Sequence, residues 1–375
     1  MKPFVKWAGG KEGELKYILP SVPKKINKYV EPFVGGGAVY FALLEKQIQE
    51  YYINDFSREL IDLYEIISID FASFYAEVKT LMHNWQVLEK VVNKNREFFL
   101  NCCRLYGDDR LSEELDDEIA SFILVRSQDF NGLMRAGENA KISDFEYEIK
   151  KYIIRKIKRI RKIDTNNCFS NKDQINNIIT AFKAGYYTHV RNLYNQREEK
   201  GNKKFFTPAK RCAYFYFLRE YCYSSMFRYN KKGEFNVPYG GMAYNTKNIL
   251  GKVKKLEDDG ICSKLKKTLI CNQDFEKFLN TIKFERDDFV FLDPPYDSEF
   301  NEYAQNSFTK NDQKRLANWA VNTKAKVMIV IKNTEFIYNL YKDTGLKISS
   351  FDKKYMVNFN NRNDRKVKHL LITNY

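Results

Sequence analysis

A chain of 375 residues with 44% hydrophobic content can bury a large core and has the length for two structural units. Its 63 basic residues against 48 acidic ones give a net charge of +15, which suits a polyanionic partner, because basic surface gathers phosphates and steers their approach. Seven cysteines without C-x-x-C spacing and three scattered histidines (His83, His189 and His369) argue against a disulfide framework, a metal site and histidine-based catalysis; with no apolar leader and no run near the roughly 20 residues of a membrane helix, a cytosolic protein with reduced thiols is expected.

Residues 28–34, KYVEPFV, form the first strand candidate, and GGGAVYFALLEK after them reads as glycines followed by a helix. Residues 51–55, YYIND, give the next strand, so the start of the chain is a βαβ unit with a glycine-rich turn. Gly35, Gly36 and Gly37 either let a ligand approach the backbone or serve only the turn. The turn is neither G-x-G-x-x-G nor a P-loop, and the earlier AGGK is followed by Glu12 where a P-loop needs Ser or Thr. Asp55 lies 18 residues after Gly37, near the spacing at which an acid accepts ribose hydroxyls.

The middle of the chain, about 70–273, is rich in Lys, Arg, Tyr and Asn and has helical periodicity. Ile153, Ile154, Ile157 and Ile160 share one helix face among basic residues, which predicts a solvated surface helix, with a phosphate-tracking face as the alternative. Residues 184–206 read as a loop. The strand grammar then resumes: DFVFLD as a strand, TKNDQKRLANWAVNT as a helix capped by Thr309 or Asn311, and KVMIVIKN as a strand. The last 22 residues read as two strands around a polar turn, an antiparallel pair closing the sheet.

The strand DFVFLD runs straight into Pro294, Pro295 and Tyr296. Residues at the carboxyl end of a parallel strand face the ligand crevice of an open α/β sheet. There Asp293 can accept from an amino group, the prolines fix the backbone and leave carbonyls free, and Tyr296 offers a flat face. This set suits an aromatic amine clamped by two acceptors. Accepting from both N–H bonds of such an amine returns electron density to its nitrogen, which can then attack an electrophilic methyl held in line. In a duplex the base must first flip out.

Together these segments resemble the Dam-type adenine-N6 DNA methyltransferases, the D12 class in the alpha arrangement. The matching stretches are FVKWAGGK, VEPFVGGGAVYF, INDFSRELIDLY, YCYSSMFRYNKKGEFNVPYG and DPPY with NSFTKNDQKRLA, in that order, over about half the chain. The resemblance implies an α/β fold: the Rossmann-like sheet of class I AdoMet-dependent methyltransferases with an antiparallel last strand, carrying an inserted, mostly helical target-recognition domain. It divides the chain into 1–69 (AdoMet-binding), 70–273 (target recognition, with an extra insert at about 101–205) and 274–375 (the rest of the catalytic domain).

The resemblance also assigns roles. Trp7, Gly10, Lys11, Glu31, Phe33, Gly35, Gly37, Asp55 and Asp293 border S-adenosyl-L-methionine. Asp293, Pro294, Pro295 and Tyr296 are catalytic. Lys6, Tyr223, Ser224, Met226, Arg228 and Pro238 contact double-stranded DNA, with GATC as the target. Arg and Lys are suited to guanine acceptors. Ser224 stands where the family commonly has asparagine. The expected setting is a bacterial or phage-encoded enzyme in the cytoplasm, with no metal, no membrane and a cognate restriction endonuclease as a companion. The competing readings are an N4-cytosine enzyme, whose motif more often reads Ser-Pro-Pro-Tyr, an RNA substrate, or a non-catalytic DNA-binding module on the same fold.

Overall fold

The computed structural model describes residues 3–7, 9–105, 112–126, 142–163, 169–197, 205–226, 228–296, 308–354 and 366–375. Contacts divide them into two compact units. One contains Met1–Phe71, Phe227–Gly233 and Lys255–Tyr375; the other contains Ala72–Met226 and Glu234–Lys254.

After short helical turns at residues 12–21, the first unit continues with β1 (Lys28–Glu31), α1 (Ala38–Leu43), β2 (Glu50–Asn54) and α2 (Arg58–Ile69). β1 stops at Glu31, three residues before the end expected from the apolar pattern, because Pro32 has no N–H to continue a ladder. Ser57 caps α2, its hydroxyl accepting from the Leu60 N–H at 3.4 Å.

The second unit follows with α3 (Phe71–Lys94), α4 (Arg96–Leu105), α5 (Ser112–Val125), α6 (Ile142–Ile163), α7 (Asn171–Asn195), α8 (Pro208–Tyr221) and the start of α9 (Leu250–Asp258). Its core is aromatic: Trp85 meets Phe217 edge-on at 5.4 Å and lies 6.2 Å from Tyr186. In α6, Ile153, Ile157 and Ile160 are buried while Lys151, Arg155, Lys158 and Arg159 face solvent, and Ile154 is half-buried at the edge of the stripe.

Residues 184–195, expected as a loop, instead form the second half of α7. Tyr186, Tyr187, Val190, Leu193 and Tyr194 recur at helical spacing and are buried, and this burial outweighs the glycine and the polar residues between them. Gly185 sits where α7 meets α6: a Cβ there would lie 3.0 Å from the Ile149 Cα. The buried residues of α7 from Ile175 to Tyr194, inside the insert expected at about 101–205, are therefore core of this unit. The Tyr186 hydroxyl accepts from Asn84 Nδ2 at 3.1 Å.

The chain returns to the first unit with β3 (Thr268–Cys271), α10 (Phe275–Asn280), β4 (Phe289–Leu292), α11 (Lys310–Asn322), β5 (Lys326–Lys332), α12 (Glu335–Tyr341), β6 (Lys347–Lys354) and β7 (Lys366–Thr373). Thr309 is the cap of α11, in a capping box with Asp312. The strands form one seven-stranded sheet in the order β3-β2-β1-β4-β5-β7-β6. All neighbours are parallel except β7, which runs antiparallel to both β5 and β6. The antiparallel close of the sheet is as expected, while its polar turn, residues 355–365, lies outside the described residues. β4 is buried at all four positions, which is why FVFL reads as continuous rather than alternating. β6, at one edge, carries Lys347, Ser349, Ser350, Asp352 and Lys353, polar residues that discourage further strand pairing.

The order of the strands places the site. The chain winds outward one way through β1, β2 and β3 and the other way through β4 and β5, so the direction reverses between β1 and β4. The carboxyl ends of these two strands open a crevice at such a switch point. Glu31 ends β1 and Asp293 follows β4.

Among the described residues, no helix is long and apolar enough to cross a membrane, and no group of His, Cys, Asp or Glu could hold a metal ion. Six cysteines among them are free.

Candidate active site

Three carboxylates gather at the carboxyl ends of β1, β2 and β4, Glu31 buried and Asp55 and Asp293 half-buried. Glu31 is fully buried and accepts from the Tyr29 hydroxyl at 2.7 Å. Burial pushes its carboxyl well above the ordinary range, and the Asp293 charge pushes the same way. Asp55, one residue past β2, accepts from the Gly35 N–H at 3.0 Å and the Ser57 N–H at 2.9 Å. Burial raises it to about 6 despite those two donors. Asp293 is likewise raised by burial, against the pull of the Lys11 ammonium.

Lys11 is the cation of this cluster. It is 2% exposed, forms an ion pair with Asp293 Oδ1, and donates to the Gly9 carbonyl at 2.9 Å and the Tyr296 hydroxyl at 3.3 Å. A second pair, Lys353 with Glu14, adds to the field: the Lys353 charge pulls Asp293 down and the Glu14 charge pushes it up. His369 meets the Tyr296 ring edge-on at 5.5 Å. Burial, with Lys353, Lys11 and Lys332 nearby, pushes that imidazole down to about 3, so it is neutral at physiological pH.

The turn after β4 has no N–H at Pro294 or Pro295. The Pro295 carbonyl accepts from Gln313 Nε2 at 2.7 Å. Among the described residues nothing donates to the Pro294 carbonyl or to Asp293 Oδ2. These two acceptors are therefore left over in a turn whose Asp293 Oδ1 and Tyr296 hydroxyl are both held by Lys11.

The glycine turn is packed by the protein itself. Gly35 has φ +48, and a Cβ on it would lie 2.8 Å from Trp7 Cδ1. Gly37 has φ +74, with Phe41 and the Tyr64 hydroxyl each 2.6 Å from the place of its Cβ. Both backbones are left-handed, and the space beside them is filled by Trp7, Phe41 and Tyr64. Trp7 is thereby laid against the glycine turn, and Lys11 reaches Asp293 just past the end of β4. Gly10 is exposed, its N–H reaching the Trp7 carbonyl at 3.3 Å. Phe33 packs between Phe275 at 5.5 Å and Phe308 at 5.6 Å.

The residues expected at DNA fall in two groups. In the second unit, the chain pairs with itself across Cys222 and Tyr239, and the Tyr223 N–H reaches the Pro238 carbonyl at 2.8 Å. Tyr223 and Pro238 are exposed on this ladder. Ser224 is left-handed at φ 51, a conformation asparagine tolerates better than serine. Arg219, 1% exposed, donates to the Met226 carbonyl at 2.8 Å and anchors the turn from inside. Lys6 and Arg228 belong to the first unit and are exposed. Next to Arg228, the Tyr229 hydroxyl donates to Glu59 in the first turn of α2.

A family model for the D12 class N6 adenine-specific DNA methyltransferases matches residues 7–180 and 137–357. The chain belongs to this family. This D12 methyltransferase is 26% identical to the Type II methyltransferase M.CviBI of Paramecium bursaria Chlorella virus NC1A, with 100% of both chains covered. It is 28% identical to the Type II methyltransferase M.MjaIII of Methanocaldococcus jannaschii, over 100% of this chain and 99% of the relative. It is 23% identical to the DNA adenine methylase of Haemophilus influenzae, over 99% and 92%. The mixed sheet with its antiparallel close is the class I methyltransferase fold, and the activity of the D12 methyltransferase is adenine-specific DNA methylation.

Four residues that hold or tune this candidate site were not singled out in the sequence: Asn54, Glu14, Lys353 and Gln313. Asn54 Nδ2 donates to the Pro32 and Gln273 carbonyls, both at 3.0 Å, and stitches together the ends of β1, β2 and β3. The one available hint was a polar residue ending the YYIN run, directly before Asp55.

Proposed function

We propose that the chain transfers the methyl group of S-adenosyl-L-methionine to N6 of an adenine flipped out of double-stranded DNA, within GATC. The carrying observation is the turn after β4, where Asp293 Oδ2 and the Pro294 carbonyl remain as acceptors beside the Tyr296 ring. The cosubstrate supplies an electrophilic methyl on a cationic sulfonium.

The donor set fits that molecule. Glu31, Asp55 and Asp293 are three wholly or partly buried acids, each pushed upward in pKa, and Lys11 counters only part of their charge. Such a cluster lacks positive charge, which a ligand bearing an ammonium and a sulfonium brings. Each oxygen of Asp55 keeps acceptor capacity beyond the N–H it caps, which suits the two hydroxyls of a ribose.

In this reading, Lys11 keeps Asp293 ionised against burial, and a carboxylate is the stronger acceptor for an amine N–H. Asp293 and the Pro294 carbonyl accept from both N6 protons, and Tyr296 stacks on the ring. The work done by the protein is positioning and preorganised electrostatics. The first unit binds the cosubstrate and carries the chemistry, and DNA is read by Lys6 and Arg228 of the first unit and by Tyr223, Met226 and Pro238 of the second. Support for GATC comes from the resemblance, which matches Lys6, Tyr223, Met226, Arg228 and Pro238 to the family's base-reading positions. The Type II names of two relatives favour a cognate restriction endonuclease as companion.

Tritiated S-adenosyl-L-methionine with a GATC duplex, a scrambled duplex and a GATC duplex already N6-methylated tests the proposal. Label at the adenine of the first duplex alone is expected. Equal label on the scrambled duplex overturns the target, and no label on any duplex overturns the transfer. Arg228→Ala is expected to weaken discrimination at one base pair by about 1–3 kcal/mol.

A further inference from the structure

We propose that Gln313 is the positioning residue of the catalytic turn: by holding the Pro295 carbonyl it orients the turn so that the neighbouring Pro294 carbonyl faces the target amine. The proposal rests on the reading that this turn receives the amine.

A turn built of Asp-Pro-Pro-Tyr cannot anchor itself well. The ladder of β4 ends at Leu292, and the two prolines that follow contribute no N–H, so the backbone has lost the donors that would tie it to its neighbours. Gln313 supplies the tie from outside. Its Nε2 reaches the Pro295 carbonyl at 2.7 Å, and the residue is 0% exposed. With that carbonyl engaged, the acceptor left over is the one at Pro294.

The tether is itself rigid. Gln313 lies in the first turn of α11, its N–H accepted by the Thr309 carbonyl at 3.1 Å, within the capping box of Thr309 and Asp312. Arg315 locks that turn by pairing with Asp312 at 2.7 Å, Asp274 at 2.9 Å and Glu276 at 2.6 Å. Asp274 is the cap of α10, so two helix N-termini are clamped together behind the site.

Gln313 is also a poor choice for packing alone. Its Oε1 is buried and has no hydrogen-bond partner among the described residues. An apolar residue of the same size would avoid that penalty. What it could not do is donate to Pro295.

Gln313→Met conserves size and removes the donor. Single-turnover methylation is expected to fall about 10- to 100-fold, the scale of an ångström-level misplacement, with the dissociation constants of S-adenosyl-L-methionine and DNA held within about twofold. Gln313→Glu gives a signature that a packing role would not. Its carboxylate repels the Pro295 carbonyl, but its protonated form regains an O–H donor, so its rate relative to wild type rises as pH falls.

Asp293→Ala, measured alongside, separates the two ideas. If Asp293→Ala turns over like wild type, the reading of the turn fails. If it is inactive while Gln313→Met keeps the wild-type rate, the Gln313 role alone fails. A flat relative pH profile for Gln313→Glu, or a rate loss in Gln313→Met matched by weaker cosubstrate binding, also overturns it.

Discussion

Removing the Lys11 ammonium tests the electrostatic logic of the site directly. Asp293 is half-buried, on the proposed reading it needs its negative charge to act as a strong acceptor, and Lys11 is its ion-pair partner. An opposite charge at this range favours a carboxylate by about 1.4–4 kcal/mol, a factor of about 10–1,000 in ionised fraction wherever the group titrates. In Lys11→Met the burial that already raises Asp293 acts unopposed, so its carboxyl rises further. The sign follows: transfer by the variant survives at high pH and is lost as pH falls, and the loss sets in at a higher pH than in wild type. The assay is single-turnover methylation with labelled cosubstrate at saturating concentrations across a series of buffers, with cosubstrate affinity measured in parallel. A rate lowered by the same factor at every pH would refute the argument, because it would mean that Lys11 acts by contact with a ligand and not through the charge on Asp293.

Three further outcomes are expected. Cosubstrate affinity should weaken as pH drops below about 6, where Asp55 takes up a proton, and Asp55→Asn should flatten that dependence; calorimetry at several pH values checks it. Gly185→Val should destabilise the second unit by about 1–3 kcal/mol through overpacking against Ile149, read as a lower denaturation midpoint, and an unchanged midpoint would contradict the close approach of α6 and α7. Ser224→Asn should stabilise the protein by up to about 1 kcal/mol, because asparagine accepts the left-handed backbone more readily; a lower thermal midpoint would count against that strain.

The order of elements in the first unit was legible because the signals are local. A buried strand such as FVFL, a glycine turn, and a Thr-x-x-Asp cap each declare themselves within a few residues. The Asp-Pro-Pro-Tyr turn was legible for the same reason, since Asp293 through Tyr296 are contiguous. Residues 184–195 misled because a glycine and polar side chains mask a helical stripe whose burial depends on α6 and on Trp85, far away in sequence.

The sequence by itself determined the chemistry: acceptors and an aromatic ring after a buried strand, with a glycine turn and an acid upstream, in family order. Tertiary structure decided how those groups are tuned. It placed Lys11 on Asp293 across most of the chain's length, filled the space at Gly35 with Trp7, and brought Gln313 under Pro295. Charge, packing and hydrogen bonding act through space, and a linear pattern carries no record of which distant side chain will arrive to supply them.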